Sequence, residues 1–188
     1  MENTSIFLNL SESEMLALCK RLLNLEPARR DCTVERDDGI DIDEWLTVRA
    51  RAWYAALLSS GPVAWLPVED LKNDVTATNT DGVVTAVYPT RCVRPIEWKL
   101  GGWQCSVTRF AQPDDDIARL QHNPWTRGRC CHPVAVDHGN RLLLYSIDPD
   151  ATPVVDMARC VATPVNGHFV FGHAAIPDLQ KFLADQQP

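Results

Sequence analysis

RPIEWKLGGWQCSVTRF, residues 94–110, carries the strongest local signal for a fold in this chain. Two runs of the kind found in strands, 92–100 and 103–110, lie on either side of Gly101 and Gly102. Paired glycines accept the positive φ angles that two-residue hairpin turns require. The stretch therefore predicts a β-hairpin that turns at the two glycines.

Further short runs rich in β-branched residues surround this hairpin and are separated by turn residues. They predict a small antiparallel β-sheet part over residues 81–162. Between them, Pro113 and the aspartates after it predict a short helical turn to Leu120, followed by an irregular loop over 122–129. The additional predicted strands are 82–88, 134–137, 142–147 and 154–161.

The N-terminal third has helical periodicity instead. Residues 11–25 form an amphipathic pattern, and Ser11 with Glu14 has the spacing of a capping box. Pro27 and the charged stretch 29–39 predict a break, after which a second helix starts at Asp41. These signals predict one α+β domain over 1–188, with a helical part at 1–72 and a C-terminal extension at 163–188. A short C-terminal helix is expected near 177–184.

The charge and the cysteine content narrow the classes of function and the cellular compartment that we expect for this chain. With 18 basic and 25 acidic residues, the net charge of −7 argues against a protein whose main task is gripping nucleic-acid phosphates. It suits a surface that DNA passes without being retained. Seven cysteines without regular spacing, no secretory signal and no bilayer-spanning run predict reduced thiols, a cytoplasmic site of synthesis and no membrane partner.

Cys130, Cys131 and His132 are the best metal candidates, because thiolates and imidazoles are the ligands zinc prefers. Structural zinc sites usually space paired ligands two to four residues apart, and these three are adjacent. We therefore expect no metal, and interpret the two cysteines as small buried hydrophobes.

The other polar clusters are expected to serve caps and turns. They are Asp114–Asp116, Asp148 with Asp150, and Asp137 with His138. Nucleophile elbows and glycine-rich nucleotide motifs are absent from the sequence. We expect no catalytic residues, no cofactor and no enzymatic activity.

The tryptophans are divided by spacing. Trp45 and Trp53 follow a helical period and are expected in the core. Trp125 lies in the irregular loop without such a period, so it is a candidate for a protein interface. Trp103, at the hairpin, and Arg127, in the Trp125 loop, are the other two expected interface residues.

The order of these features resembles that of head–tail connector proteins of tailed bacteriophages, particularly the ring or adaptor proteins of crAss-like phages. The likeness extends over residues 93–147, and more loosely over the second helix and 62–71, whereas the C-terminal region is shorter than in that family. The matching positions are Arg94, Lys99, Trp103, Asn123, Pro124, Arg127, Gly128, Pro133, Val134, Leu144 and Tyr145.

The resemblance implies a structural virion protein at the head–tail junction, made in the host cytoplasm. Its subunits would form a homo-oligomeric ring, twelvefold in symmetry, below the portal. The ring would contact the portal and other tail or connector proteins while DNA passes through it without sequence-specific binding. Two alternatives stay open: a binding module acting as a monomer or small oligomer, and a metal-dependent enzyme using Cys130, Cys131 or His132.

Overall fold

The computed structural model describes residues 7–25, 41–145 and 147–185, and it confirms the α+β class. The predicted break at Pro27 and 29–39 lies outside these residues. In chain order the described elements are β1 (Phe7–Leu10), α1 (Glu12–Leu22), α2 (Ile42–Ser60), β2 (Val68–Asp70), β3 (Thr76–Thr80), β4 (Val83–Val87), β5 (Cys92–Leu100), α3 (Asp116–Leu120), β6 (Ala135–Asp137), β7 (Arg141–Tyr145), β8 (Val155–Ala162), β9 (Phe169–Gly172) and α4 (Ile176–Ala184).

These elements form two compact units. Unit 1 contains the chain up to Pro67 and again from Thr163, and unit 2 is Val68–Ala162. The predicted C-terminal extension thus contributes a strand and a helix to the first unit. That both units fold as one domain stays a prediction.

The helices begin where their capping signals predict. At α1, the backbone N–H of Ser11 donates to Glu14 Oε2 at 2.8 Å, and the backbone N–H of Glu14 donates to Ser11 Oγ at 3.4 Å. At α2, the Asp41 carboxylate accepts from two backbone N–H groups of the first turn. Each side chain satisfies donors that the helix itself leaves unpaired. The predicted short C-terminal helix is also present, as α4.

Unit 1 contains a strand pair that the sequence patterns did not predict. β1 precedes the first helix and pairs antiparallel with β9. Beneath this pair, the Trp53 ring meets the Phe171 ring edge-on at 5.1 Å. The Trp53 indole N–H also donates to Asp178 Oδ2 of α4 at 2.9 Å. Because β1 precedes α1, the predicted order, in which the chain begins with helices, is only partly matched.

Unit 2 consists of two antiparallel sheets with strand orders β2-β8-β5 and β3-β4-β7-β6. Alternate side chains of both sheets enter one hydrophobic core, as expected for sheets that pack face to face. The most buried members of this core are Val84, Ala86, Trp98, Leu100, Ala135, Leu142, Leu144, Ala158 and Cys160.

The predicted hairpin at Gly101 and Gly102 is only partly present. The chain does turn there, with Gly102 at φ 85° and the Trp103 N–H donating to the Leu100 carbonyl at 3.1 Å. The pairing partner of β5, however, is β8. Residues 103–110 form no strand, and Val107 alone bridges to β5 by exchanging two hydrogen bonds with Trp98.

The reason lies in competing backbone partners. The N–H of Gln104 donates to the Cys130 carbonyl at 2.8 Å, and the N–H of Ala111 donates to the Ala135 carbonyl at 3.0 Å. Gln104 near the start of the segment and Ala111 just after its end are thus bonded to the chain before and within β6. Between these two bonds only Val107 pairs with β5, so residues 103–110 form no regular ladder with it.

The β part also begins earlier than residue 81. β3 pairs with β4 across a turn in which Asp81 and Gly82 have φ angles of 52° and 77°. Two consecutive positive φ angles are typical of the type I′ turn that suits a two-residue hairpin. The turn is fixed by Asn79, whose Oδ1 accepts from the Gly82 N–H at 3.1 Å.

Candidate protein interface at the Trp125 loop

α3 presents one face to the core of unit 2 and another to solvent. Ala118 is buried in a small cluster with Ala111, Val136 and Tyr145. Ile117 and Leu120 are 50% and 49% exposed. Residues three apart share a helix face, so these two side chains form an outward apolar pair. The loop 121–128, which we name the Trp125 loop, follows directly.

Gln121 holds the base of this loop. It is the one buried polar residue among those the structure describes, with 2% exposure. Its Oε1 accepts from the Gly128 N–H at 2.8 Å, and its Nε2 donates to the Ile117 carbonyl at 2.8 Å. A buried amide is stable only when such groups are paired. Gln121 therefore joins the end of the loop to the helix before it.

Arg127 stabilises the loop through hydrogen bonds to two backbone carbonyls. Its Nε donates to the Gln121 carbonyl at 3.1 Å, and its Nη1 donates to the Asp81 carbonyl at 3.3 Å. The guanidinium also lies 5.8 Å from the centre of the Tyr145 ring. Burial raises the pKa of Tyr145 above its ordinary value, and the Arg127 charge partly opposes that rise. Arg127 is thus half-buried and positions the loop.

Trp125 lies at the tip, between two further side-chain contacts. The Asn123 Oδ1 accepts from the Trp125 N–H at 3.0 Å, and the Thr126 hydroxyl donates to the Leu120 carbonyl at 2.6 Å. The Trp125 residue is nevertheless 88% exposed. Its backbone is held while its indole ring faces solvent. We name the three exposed apolar residues Trp125, Ile117 and Leu120 together the Trp125 surface.

The other expected interface tryptophan has a different setting. Trp103 is 4% exposed and belongs to the core of unit 2. Its ring therefore offers almost no area for a neighbour to contact. Among the helical tryptophans, Trp53 is 2% exposed, as its spacing predicted. Trp45 is half-buried, and Arg49 lies 5.9 Å from its ring centre.

Cys130 and Cys131 are exposed, so the interpretation that they are buried hydrophobes is wrong. They occupy a tight turn closed by two backbone hydrogen bonds between Arg129 and His132. In a strand, one of two adjacent side chains points to the core, whereas in a turn both can face solvent. His132 Nδ1 lies 3.2 Å from Cys131 Sγ. Across residues 7–25, 41–145 and 147–185, no three His, Cys, Asp or Glu side chains converge as metal ligands would.

The acidic clusters serve turns, as expected. Asp115 Oδ2 accepts from the Gln112 N–H at 2.8 Å, and Asp148 Oδ1 accepts from the Asp150 N–H at 3.0 Å. Asp137 Oδ1 accepts from the Gly139 N–H at 2.8 Å and from the Tyr88 hydroxyl at 3.0 Å. Burial first, and the Asp137 charge second, raise the pKa of Tyr88 far above its ordinary value.

Comparison with models of known protein families gives no match, and comparison with curated proteins gives none. Within the described part of the chain, no helix is both long and apolar enough to cross a bilayer. We therefore infer the function from the geometry of the Trp125 surface.

Proposed function

We propose that this chain is a structural subunit that assembles with copies of itself through the Trp125 surface. The observation that carries the proposal is the 88% exposure of Trp125 on a loop whose backbone is fixed by internal hydrogen bonds. Exposing a large indole to water is unfavourable, and tryptophan is among the residues most enriched at the centres of protein interfaces.

The internal bonds of the loop support this role. Binding normally loses free energy when flexible loops become ordered. Here Gln121, Arg127 and Thr126 already hold the loop in one conformation. Trp125 can therefore be buried by a partner at a small entropic cost. Ile117 and Leu120 add two exposed apolar side chains on the helix that precedes the loop.

The particular assembly that we propose is the ring of a phage head–tail connector, located at the head–tail junction of the virion. The support is the resemblance in sequence order, in which the Asn-Pro and Arg-Gly loop of that family corresponds to the Trp125 loop. In a ring, each subunit contacts its neighbour through two different surfaces, so one exposed anchor per chain is enough. The net charge of −7 suits a channel through which DNA passes without being retained.

Electron microscopy and light scattering of the purified chain, alone and mixed with its cognate portal, test this proposal. We expect closed rings, or rings formed on the portal, with a mass that is a multiple of the 21.0 kDa chain. A monomer under both conditions would overturn the connector assignment. A small complex with an unrelated protein would instead favour the binding module.

A further inference from the structure

The turn that follows the Trp125 loop in unit 2 contains two exposed cysteines and a histidine, and a third exposed cysteine contacts the backbone of this turn. Cys130 and Cys131 are the central residues of the turn closed by Arg129 and His132. Cys105 Sγ lies 3.4 Å from the Cys131 carbonyl oxygen and donates to it. Cys105 is therefore a third exposed thiol, in contact with the backbone of the turn.

One of these thiols has a base beside it. Cys131 Sγ and His132 Nδ1 are 3.2 Å apart. When the imidazole carries its proton on Nε2, Nδ1 accepts the hydrogen bond of the thiol and can take the thiol proton. Proton transfer to a neighbouring imidazole is the step that converts a weakly reactive thiol into a nucleophilic thiolate.

We propose that Cys131 is a peroxide-reactive thiol, that His132 is its base and that Cys105 is its resolving thiol. Reactive cysteines of this kind are exposed, lie beside a proton acceptor and have a second thiol within reach. Cys131 is exposed and lies 3.2 Å from His132 Nδ1, and the Cys105 sulfur contacts the backbone carbonyl of Cys131, which makes Cys105 the candidate second thiol. The site would take small hydroperoxides, and it is independent of the proposed assembly.

The proposed oxidation of Cys131 and Cys105 takes place in two steps. The Cys131 thiolate attacks one oxygen of hydrogen peroxide, the O–O bond breaks, and the departing hydroxide takes the proton held by His132 to form water. This leaves a sulfenic acid on Cys131. The Cys105 sulfur then attacks that sulfenic sulfur, the S–O bond breaks, and the departing hydroxide leaves as water with the Cys105 proton. Two thiols lose two electrons in total, and one peroxide becomes two waters.

The resulting disulfide would have a structural consequence. It would join the segment after Gly102 to the turn that follows the Trp125 loop. The cross-link would enclose residues 106–130, which contain α3 and the whole of that loop. Oxidation would therefore stabilise the folded segment on which Trp125 lies, because the cross-link limits the conformations of that segment when it is unfolded.

The test treats the reduced, full-length protein with hydrogen peroxide and reads the products by peptide mapping under non-reducing conditions. We expect a cross-linked peptide containing Cys105 and Cys131. Cys130→Ser is the matched control, because it removes an exposed thiol from the same turn and should leave the link intact. Cys105→Ser should abolish the link and leave Cys131 as a sulfenic acid that a dimedone probe captures.

His132→Asn separates the proposed chemistry from mere proximity. His132 is exposed, so the variant should fold, which circular dichroism would verify. We expect oxidation of Cys131 to slow at least about fivefold, because the thiol loses its base. Equal oxidation of Cys130 and Cys131 without the Cys105–Cys131 link, or an unchanged rate in His132→Asn, would overturn the proposal.

Discussion

Gln121 closes the Trp125 loop, because its buried Oε1 accepts a 2.8 Å hydrogen bond from the backbone N–H of Gly128. The same side chain reaches back to the Ile117 carbonyl, so one amide joins the start of α3 to the end of the loop. A buried residue, Gln121, thus helps to fix the loop that carries Trp125.

Gln121→Ala tests this link. The substitution leaves the Gly128 N–H and the Ile117 carbonyl without their present partner, and an unpaired buried polar group costs about 1–3 kcal/mol. We expect the free energy of unfolding, measured by urea denaturation, to fall by that amount. Gln112→Ala, at an exposed position just before α3, is the control and should change it by less than about 0.5 kcal/mol. Equal losses in the free energy of unfolding for the two variants would show that the Gln121 amide does not stabilise the loop.

Asn79→Asp tests the second fixed turn of unit 2. Asn79 Nδ2 donates to the carbonyl oxygens of Asp148, Pro149 and Ala151 at 2.8–3.1 Å. A carboxylate of the same shape would bring negative charge against three acceptors and donate nothing. We expect a loss of about 2 kcal/mol in the free energy of unfolding. Asn140→Asp, at an exposed turn position, should have little effect, and a comparable loss there would contradict this account.

Glu97 supplies a prediction on pH. The Ser106 hydroxyl donates to its Oε1 at 2.6 Å, and Arg159 pairs with its Oε2 at 2.9 Å. The Ser106 hydrogen bond first, and Arg159 second, lower the pKa of Glu97 below its ordinary value. A lowered folded-state pKa stabilises the fold above the unfolded value of about 4.3, and this contribution is lost as the pH falls through the folded-state pKa.

Ser106→Ala should therefore raise the pKa of Glu97 towards its ordinary value and weaken the fold above pH about 4.3, but not below the folded-state pKa. The carboxyl titration can be followed directly by NMR. Thr108→Ala, at an exposed position of the same segment, should leave the pKa of Glu97 where it is. If Ser106→Ala also leaves it unchanged, the hydrogen bond is not what lowers the pKa.

The sequence predicted elements whose signals are local. Caps at Ser11 and Asp41 mark both long helices, and alternating apolar residues mark β5 and β8. β3 was missed because its threonines lack apolar alternation, although the Asp81–Gly82 pair after it is a strong hairpin signal. β1 and β9 could not be predicted as a pair, since their pairing joins the two ends of the chain and depends on tertiary packing.

The same limit applies to the candidate sites. Trp125 could be predicted as exposed because it lies outside every periodic pattern. Trp103 could not be distinguished from it, since its burial depends on the packing of two sheets. The contact between Cys105 and Cys131 and the burial of Gln121 likewise arise only when segments distant in sequence meet.

Assembly through the Trp125 surface is tested most directly by the substitution Trp125→Ser. Because the residue is 88% exposed, the substitution should change the free energy of unfolding by less than about 0.5 kcal/mol. Val165→Ser is the matched control, since Val165 is also apolar and is 75% exposed in unit 1. The decisive measurement is the mass of the assembly by light scattering, for both variants and the unchanged chain, alone and with the portal. We predict that Trp125→Ser alone loses the ring while remaining folded, and a ring of unchanged mass and stability in Trp125→Ser would contradict the account.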